Sequence, residues 1–181
     1  MKSTSFTLAK AKKLFASILV LFTLTIGITS CLPDGSDPST TSVDLPQSII
    51  GTWQSSFGDK YIISDGKLLN TYSDESAAQY TLNIIDIKQI EGTENNSYYL
   101  YLQSPEDYSY EYSGSTYYYY HKNYYTAFYI EVLPDSTLKI SGACNSTTWE
   151  SENSDYDTVL SDFTLSNGYF GNQPEYTLVT E

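Results

Sequence analysis

The chain has 181 residues and is strongly acidic, with 22 aspartates and glutamates, nine lysines, no arginine and a formal net charge of −13. Such a surface repels phosphate backbones, which argues against a nucleic-acid partner. All the acids follow residue 30, whereas four lysines precede it. Residues 31–181 therefore carry 22 acids against five lysines, a net charge of −17. That segment is long enough for one domain.

The first 30 residues have the pattern of a cleaved export signal. A basic start, residues 1–13, precedes an apolar run of 15 residues. This run is shorter than the roughly 20 residues that a spanning helix needs. It is followed by the tetrapeptide Ile28, Thr29, Ser30 and Cys31, which resembles a bacterial lipobox. The resemblance implies that the first three are signal-peptidase recognition residues and that Cys31 carries lipid. The alternative is an uncleaved N-terminal anchor.

Residues 31–46 are predicted to be the lipidated cysteine and a flexible tether. Three prolines and several serines, threonines and aspartates leave this stretch almost without bulky apolar side chains. Leu32 follows the cysteine. An aspartate there would resemble an inner-membrane retention signal of some bacteria, so its absence favours the outer membrane, on the periplasmic or surface side. The predicted partner at this end is the membrane, through the N-terminal lipid.

Residues 47–181 are predicted to form an all-β domain of roughly eight to ten short antiparallel strands, with a short helical turn before the last strands. Tyr, Thr, Ile, Val and Phe dominate there, and turn signals recur every 8–12 residues. The predicted strands are 49–56, 60–64, 67–72, 80–90, 97–103, 117–121, 124–133, 137–143, 162–166 and 176–180. A small closed barrel is favoured over a sandwich because closure removes exposed edges.

Local signals refine this arrangement. Asp65-Gly66 predicts a tight hairpin, and the change of apolar parity between Ile84 and Ile85 predicts a bulge. Residues 105–116 are predicted to be a loop, with strands 117–121 and 124–133 paired across the turn that follows His121. Ser154 is predicted to cap the helical turn, which runs to about residue 160.

Gly51-Thr52-Trp53 on the first strand resembles the motif of the lipocalin-like (calycin) barrels. In that family the Trp plugs one end of the barrel and the Gly lets backbones pass closely, which implies a barrel-closing role for Gly51 and Trp53. The family packs an Arg or Lys of the last strand over the Trp, and residues 161–181 contain neither. The alternative for Trp53 is an ordinary core aromatic. The start of the domain also resembles small spirochaete-type lipoproteins.

The chain offers little for catalysis or metal binding. His121 is the only histidine and is expected in an exposed turn. Cys144 has no partner once Cys31 is lipidated, and is expected to be a small buried residue. An acidic cluster around residues 150–157 lacks the spacing of a calcium loop and is expected to be solvated. The sequence therefore predicts no enzyme, no metal site and no cofactor.

Tyrosine is the most distinctive residue, with 19 copies, all beyond the leader. Tyrosines can serve as ordinary strand residues, line a cavity, or form a recognition face. The residues expected to line a ligand cavity are Tyr98, Tyr117, Tyr119, Phe128 and Tyr129. The predicted function is a lipid-anchored cell-envelope lipoprotein whose barrel binds a small hydrophobic or sugar ligand. The alternative is a non-enzymatic surface or periplasmic protein that binds a protein partner through a tyrosine-rich face.

Overall fold

A computed structural model of the chain describes residues 43–64, 66–72, 79–171 and 173–180. The predicted signal peptide, Cys31 and most of the tether lie outside these residues. Within them are ten strands and one helix of four residues or more. The elements are β1 (Gly51–Ser55), β2 (Asp59–Ser64), β3 (Lys67–Tyr72), β4 (Tyr80–Ile90), β5 (Asn96–Gln103), β6 (Tyr108–Tyr112), β7 (Ser115–Tyr120), β8 (Tyr125–Val132), β9 (Leu138–Gly142), α1 (Tyr156–Asp162) and β10 (Glu175–Leu178).

Eight of the strands close into an antiparallel barrel in the order β1-β10-β9-β8-β5-β4-β3-β2, with β2 pairing back to β1. The predicted all-β antiparallel barrel is therefore confirmed. The tight β2–β3 hairpin is also confirmed, because Ser64 pairs with Lys67 and Gly66 has a φ of +70°. The predicted bulge lies on β4, where the register with β5 shifts between Ile84 and Asp86.

The barrel interior is packed with apolar and aromatic side chains. In a strand, alternate residues face the same side, so each strand supplies one set of inward residues. All eight barrel strands contribute to one contiguous core. Its members from the strands include Trp53, Ile63, Leu68, Leu82, Ile84, Leu100, Leu102, Phe128, Ile130, Leu138, Ile140 and Tyr176. An interior filled in this way stabilises the fold by removing apolar surface from water.

A second core lies on the outer side of the sheet, beneath α1 and residues 163–170. It joins outward side chains of β5 and β8 to Val159 and Phe163, both fully buried. The Phe163 ring stacks on Tyr169 with centroids 4.1 Å apart, and Leu165 N donates to Tyr99 Oη at 3.0 Å. Strand β5 is therefore buried on both faces, which explains its continuous run of buried residues.

Because neighbouring strands are antiparallel, the connections alternate between two ends of the barrel. The N-terminal end holds the start of β1 and the β2–β3, β4–β5 and β8–β9 turns. There Val43 and Leu45 pack against the interior core. The other end, here called the hairpin end, holds the β1–β2 turn and two long connections, 104–124 and 143–174. Residues 43–50 thus reach β1 at the N-terminal end.

Three local predictions were wrong. Residues 105–116 contain β6, and β7 pairs with β6 rather than with β8. Residues 162–166 contain the last residue of α1 and a turn instead of a strand. The N-cap of α1 is Asp155 and not Ser154, and Asp155 makes no side-chain capping hydrogen bond. Within the part of the chain that the structure describes, no helix has the length and apolar character to span a bilayer.

Candidate functional site

The two strands β6 and β7 form a small antiparallel sheet of their own, inserted between β5 and β8 at the hairpin end. Ser113 and Gly114 connect them, with φ values of +52° and +78°. Positive φ at both central residues is typical of the tight type I′ turn that joins two strands. The pairing carries a bulge near Tyr119, because Tyr108 pairs with Tyr120 and Ser109 with Tyr118.

Tyrosines at the base of this hairpin join it to the barrel. The buried Tyr120 ring lies edge-on to Tyr80, 5.0 Å between centroids. Tyr80 Oη is 3.4 Å from Tyr61 Oη. Tyr108 Oη donates to the carbonyl oxygen of Thr81 at 2.8 Å. Burial raises the pKa of Tyr61 to about 12 and also raises the pKa values of Tyr80 and Tyr120, so these hydroxyls keep their protons well into alkaline conditions.

The tyrosine contacts continue outward along one face of the hairpin. We define the hairpin surface as the exposed residues Tyr110, Tyr112, Tyr117 and Tyr119. Tyr119 is 6.3 Å from Tyr80 and 4.9 Å from Tyr110 between ring centroids. Tyr110 stacks on Tyr117 at 5.5 Å, and Tyr117 contacts Tyr112 at 6.5 Å. One chain of ring contacts therefore runs from the barrel interior to solvent.

The opposite face of the hairpin holds His121. Its ring lies between Tyr118, stacked at 4.5 Å, and Tyr124, at 5.2 Å. Glu152 binds His121 twice, accepting from the backbone N at 2.8 Å and contacting Nδ1. His121 is exposed and begins a turn, as predicted, and its carbonyl accepts from Tyr124 N. Its contacts attach the hairpin base to the connection that follows β9.

The acidic cluster of that connection is held by hydrogen bonds within the protein. Glu150 accepts from Tyr169 Oη at 2.6 Å, and Asp155 accepts from Thr158 Oγ1 at 2.7 Å. Burial, and the hydrogen bond to Glu150, raise the pKa of Tyr169. These carboxylates position neighbouring side chains. Cys144 is exposed, so the prediction that it is buried was wrong.

The five residues predicted to line a cavity lie in three different places. Tyr98 and Phe128 belong to the interior core. Tyr129 lies in the outer core and bonds Ser97 and Glu131. Tyr117 and Tyr119 are on the hairpin surface. A single cavity lined by all five is therefore not what the structure shows.

Gly51 and Trp53 lie together near the N-terminal end. The Trp53 ring is buried, and its Nε1 donates to Ile49 O at 2.9 Å. Gly51 has a φ of +148°, and a Cβ there would come within 2.8 Å of Leu178 Cδ1. The positive φ therefore favours glycine here, since residues with a side chain rarely adopt it; the Leu178 contact is with the end of a half-exposed side chain that can move aside.

Sequence reasoning missed several exposed aromatics at the hairpin end. Phe57, 85% exposed, lies in the β1–β2 turn, and Trp149, 77% exposed, lies in the connection after β9. Tyr110 and Tyr112 belong to the strand mistaken for a loop, and the Ser113-Gly114 pair was the signal that could have found it. Comparisons with protein-family models, curated proteins and solved structures find no match to this chain.

Proposed function

We propose that this chain is a lipid-anchored, non-enzymatic cell-envelope protein that binds a protein partner through the hairpin surface. The observation that carries the proposal is the contiguous exposed tyrosine patch at one end of the barrel. Tyrosine offers a large, rigid contact area with few rotatable bonds, so its ordering on binding costs little entropy. Exposed aromatic patches of this kind are typical of interaction sites.

The position of the patch supports this role. Residues 43–50 reach the barrel at the N-terminal end, and the hairpin surface lies at the other end. A lipid on Cys31, followed by the tether, would attach the domain by the end that lacks the patch. Two or more acyl chains hold a protein firmly at a membrane, and a flexible tether at the opposite end leaves the exposed rings accessible to a partner.

The anchor is tested by Cys31→Ala in a bacterial host. We expect the variant to lose labelling by a radiolabelled fatty acid and to remain at precursor size, because the lipid acceptor is gone. Cys144→Ala is the matched control and should be labelled like the parent chain. Labelling of Cys31→Ala at the parent level would rule out the anchor.

Partner binding is tested by placing the photo-crosslinking residue benzoylphenylalanine at position 112 or at position 179. Tyr112 lies on the hairpin surface, and Val179 is exposed after β10 at the N-terminal end. We expect a discrete protein adduct in producing cells only from position 112. The adduct should disappear when Tyr110→Ser and Tyr117→Ser are added. Equal adducts from both positions, or none from position 112, would contradict the proposal.

A small ligand inside the barrel is a second candidate. It is favoured by Tyr61 and Tyr80, whose hydroxyls meet beneath the hairpin within an otherwise apolar interior, an arrangement typical of ligand sites with few polar anchors. The packed core weighs against it. A fatty acid or short oligosaccharide that raised the Tm of the full chain, and still did so in the Tyr110→Ser, Tyr117→Ser variant, would establish interior binding.

A further inference from the structure

The hairpin end combines exposed aromatic rings with strongly negative charge. The two long connections there, 104–124 and 143–174, contain three and five acids respectively, against a single lysine, Lys122. Glu106, Asp107 and Glu111 are all exposed on the connection that carries the hairpin. Tyr110 and Tyr117 lie on the same short sheet. Glu111, beside Tyr110 on β6, faces the opposite side of this sheet, where it accepts a hydrogen bond from Thr116 Oγ1. The carboxylates of this connection therefore lie around the hairpin surface and not among its rings.

We infer that the hairpin surface recognises a positively charged, Arg- or Lys-rich polypeptide segment. This inference rests on the proposed function and specifies the chemistry of the partner. A guanidinium or ammonium group is attracted to the face of a tyrosine ring. Arginine in particular combines ring stacking with bidentate bonds to carboxylates. The surrounding negative charge would speed the encounter with a basic segment and repel acidic ones.

The backbone of the hairpin adds a second means of binding. β6 and β7 pair only with each other among the described strands, so each has an outer edge without a strand partner. Strand edges carry N–H and C=O groups that pair with an extended peptide. Side chains of such a peptide alternate between the two faces, which brings every second basic side chain over the tyrosines.

A second copy of this chain fits the surface poorly. Residues 31–181 carry a net charge of −17, and two such domains repel each other at close range. The same charge favours a basic occupant. A basic segment meets no such repulsion, because Lys122 is the only lysine or arginine in the two long connections.

The inference is tested by titrating fluorescein-labelled deca-arginine with the full chain and following fluorescence anisotropy. We expect Tyr110→Ser with Tyr117→Ser to weaken Kd by about tenfold, and Tyr110→Phe with Tyr117→Phe to change it less than about twofold, since the ring remains. Tyr112→Ser, a substitution at a residue 66% exposed, should weaken binding without disturbing the fold. Far-ultraviolet circular dichroism checks each variant.

Charge is tested with two matched pairs of carboxylates. Glu106→Gln with Glu111→Gln removes two exposed charges at the hairpin end, and Glu91→Gln with Glu94→Gln removes two in the β4–β5 turn at the N-terminal end. We expect the first pair to weaken Kd about fivefold and the second less than about twofold, because screening limits distant charges. Equal losses from both pairs would show attraction by net charge alone and overturn the inference.

Two further outcomes would also overturn it. The tyrosine-to-serine variants could bind deca-arginine as well as the parent chain, or the hairpin surface could bind maltohexaose while ignoring deca-arginine. A crosslinked protein adduct from position 112 without deca-arginine binding would leave the proposed function standing and reject only the basic partner. Absence of that adduct would reject the proposed function itself.

Discussion

Gly51, at the start of β1, has a backbone conformation that favours glycine. Its φ of +148° is in a region that side-chain-bearing residues rarely adopt, and an added Cβ would lie 2.8 Å from Leu178 Cδ1. We expect Gly51→Ala to lower the free energy of unfolding by about 1–3 kcal/mol. Urea denaturation of the full chain measures this change.

Gly171→Ala is the control for that substitution. Nothing lies within 4 Å of its added Cβ, and its φ is outside the left-handed region. We expect a change within about 0.5 kcal/mol. A Gly51→Ala protein as stable as Gly171→Ala would show that the backbone at position 51 accommodates a side chain without cost.

Glu131 is a residue whose ionisation the fold favours through two side-chain contacts. Asn95 Nδ2 donates to it at 2.6 Å, and Lys139 Nζ lies 3.2 Å away. These contacts, the Asn95 hydrogen bond first, hold the pKa of Glu131 below its ordinary value. Because the folded pKa is lower than the unfolded one, this stabilisation is present above the unfolded pKa of about 4.3 and is lost as pH falls through the folded pKa.

We therefore expect Glu131→Gln to lower the free energy of unfolding by about 1 kcal/mol near neutral pH, and the difference from the parent chain to shrink below about pH 4. Urea denaturation at a series of pH values measures it. Glu94→Gln, at an exposed turn residue, should follow the parent at every pH. If the free energies of unfolding of Glu131→Gln and the parent chain differed by the same amount down to about pH 2, ionised Glu131 would not be the source of the stabilisation.

At the scale of elements, Phe163, the residue that follows α1, anchors the helix in the outer core. Phe163 is fully buried in the outer core and stacks on Tyr169 at 4.1 Å. We expect Phe163→Ala to lower the free energy of unfolding by about 3–5 kcal/mol, because it removes buried surface and leaves a cavity. Phe57→Ala, at an 85% exposed ring, should change it by less than about 0.5 kcal/mol. Similar losses in both would contradict the described packing.

Strands could be predicted from the sequence where the apolar pattern and the turn residues indicated the same boundaries. Strands β3 and β4 have the predicted bounds because a Gly-containing turn precedes one and apolar residues extend along the other. β6 was missed because an exposed ribbon needs no apolar face, so its Tyr, Ser and Glu residues looked like a loop. Residues 163 and 165 alternate like a strand, but they pack on the outer core instead.

At the scale of the molecule, the closed barrel followed from many short strands and the need to cover their edges. The positions of the exposed aromatic residues on the barrel could not be predicted in the same way. Which connection emerges at which end depends on the order and pairing of every strand, and the pairing of β7 was mispredicted. The connections that carry Phe57, Trp149 and the tyrosine hairpin emerge at the same end of the barrel because of the strand order, which the local sequence pattern does not reveal.

The buried tyrosines make the whole molecule sensitive to alkali. Burial raises the pKa of Tyr61 and of Tyr101 to about 12, and those of Tyr80 and Tyr120 also lie above the ordinary value. A raised folded pKa means that the unfolded chain loses its protons first. Stability is therefore fully present below about pH 10 and falls as pH rises through the folded values.

We expect cooperative unfolding above about pH 10, with tyrosinate absorbance of the buried rings and loss of circular dichroism rising together. The chain unfolded in urea is the control and should ionise near pH 10 without a cooperative step. A folded chain that ionised all 19 tyrosines near pH 10 while keeping its circular dichroism would contradict this description.

The contrasting surroundings of the two tryptophans provide internal optical reporters. Trp53 is buried beside Ile49 at the N-terminal end, and Trp149 is 77% exposed at the hairpin end. Indole emission depends on contact with water, so the first should emit further to the blue and resist quenching by acrylamide. Trp53→Phe and Trp149→Phe would separate the two signals. Core unfolding and events at the hairpin end could then be followed independently in one unlabelled protein.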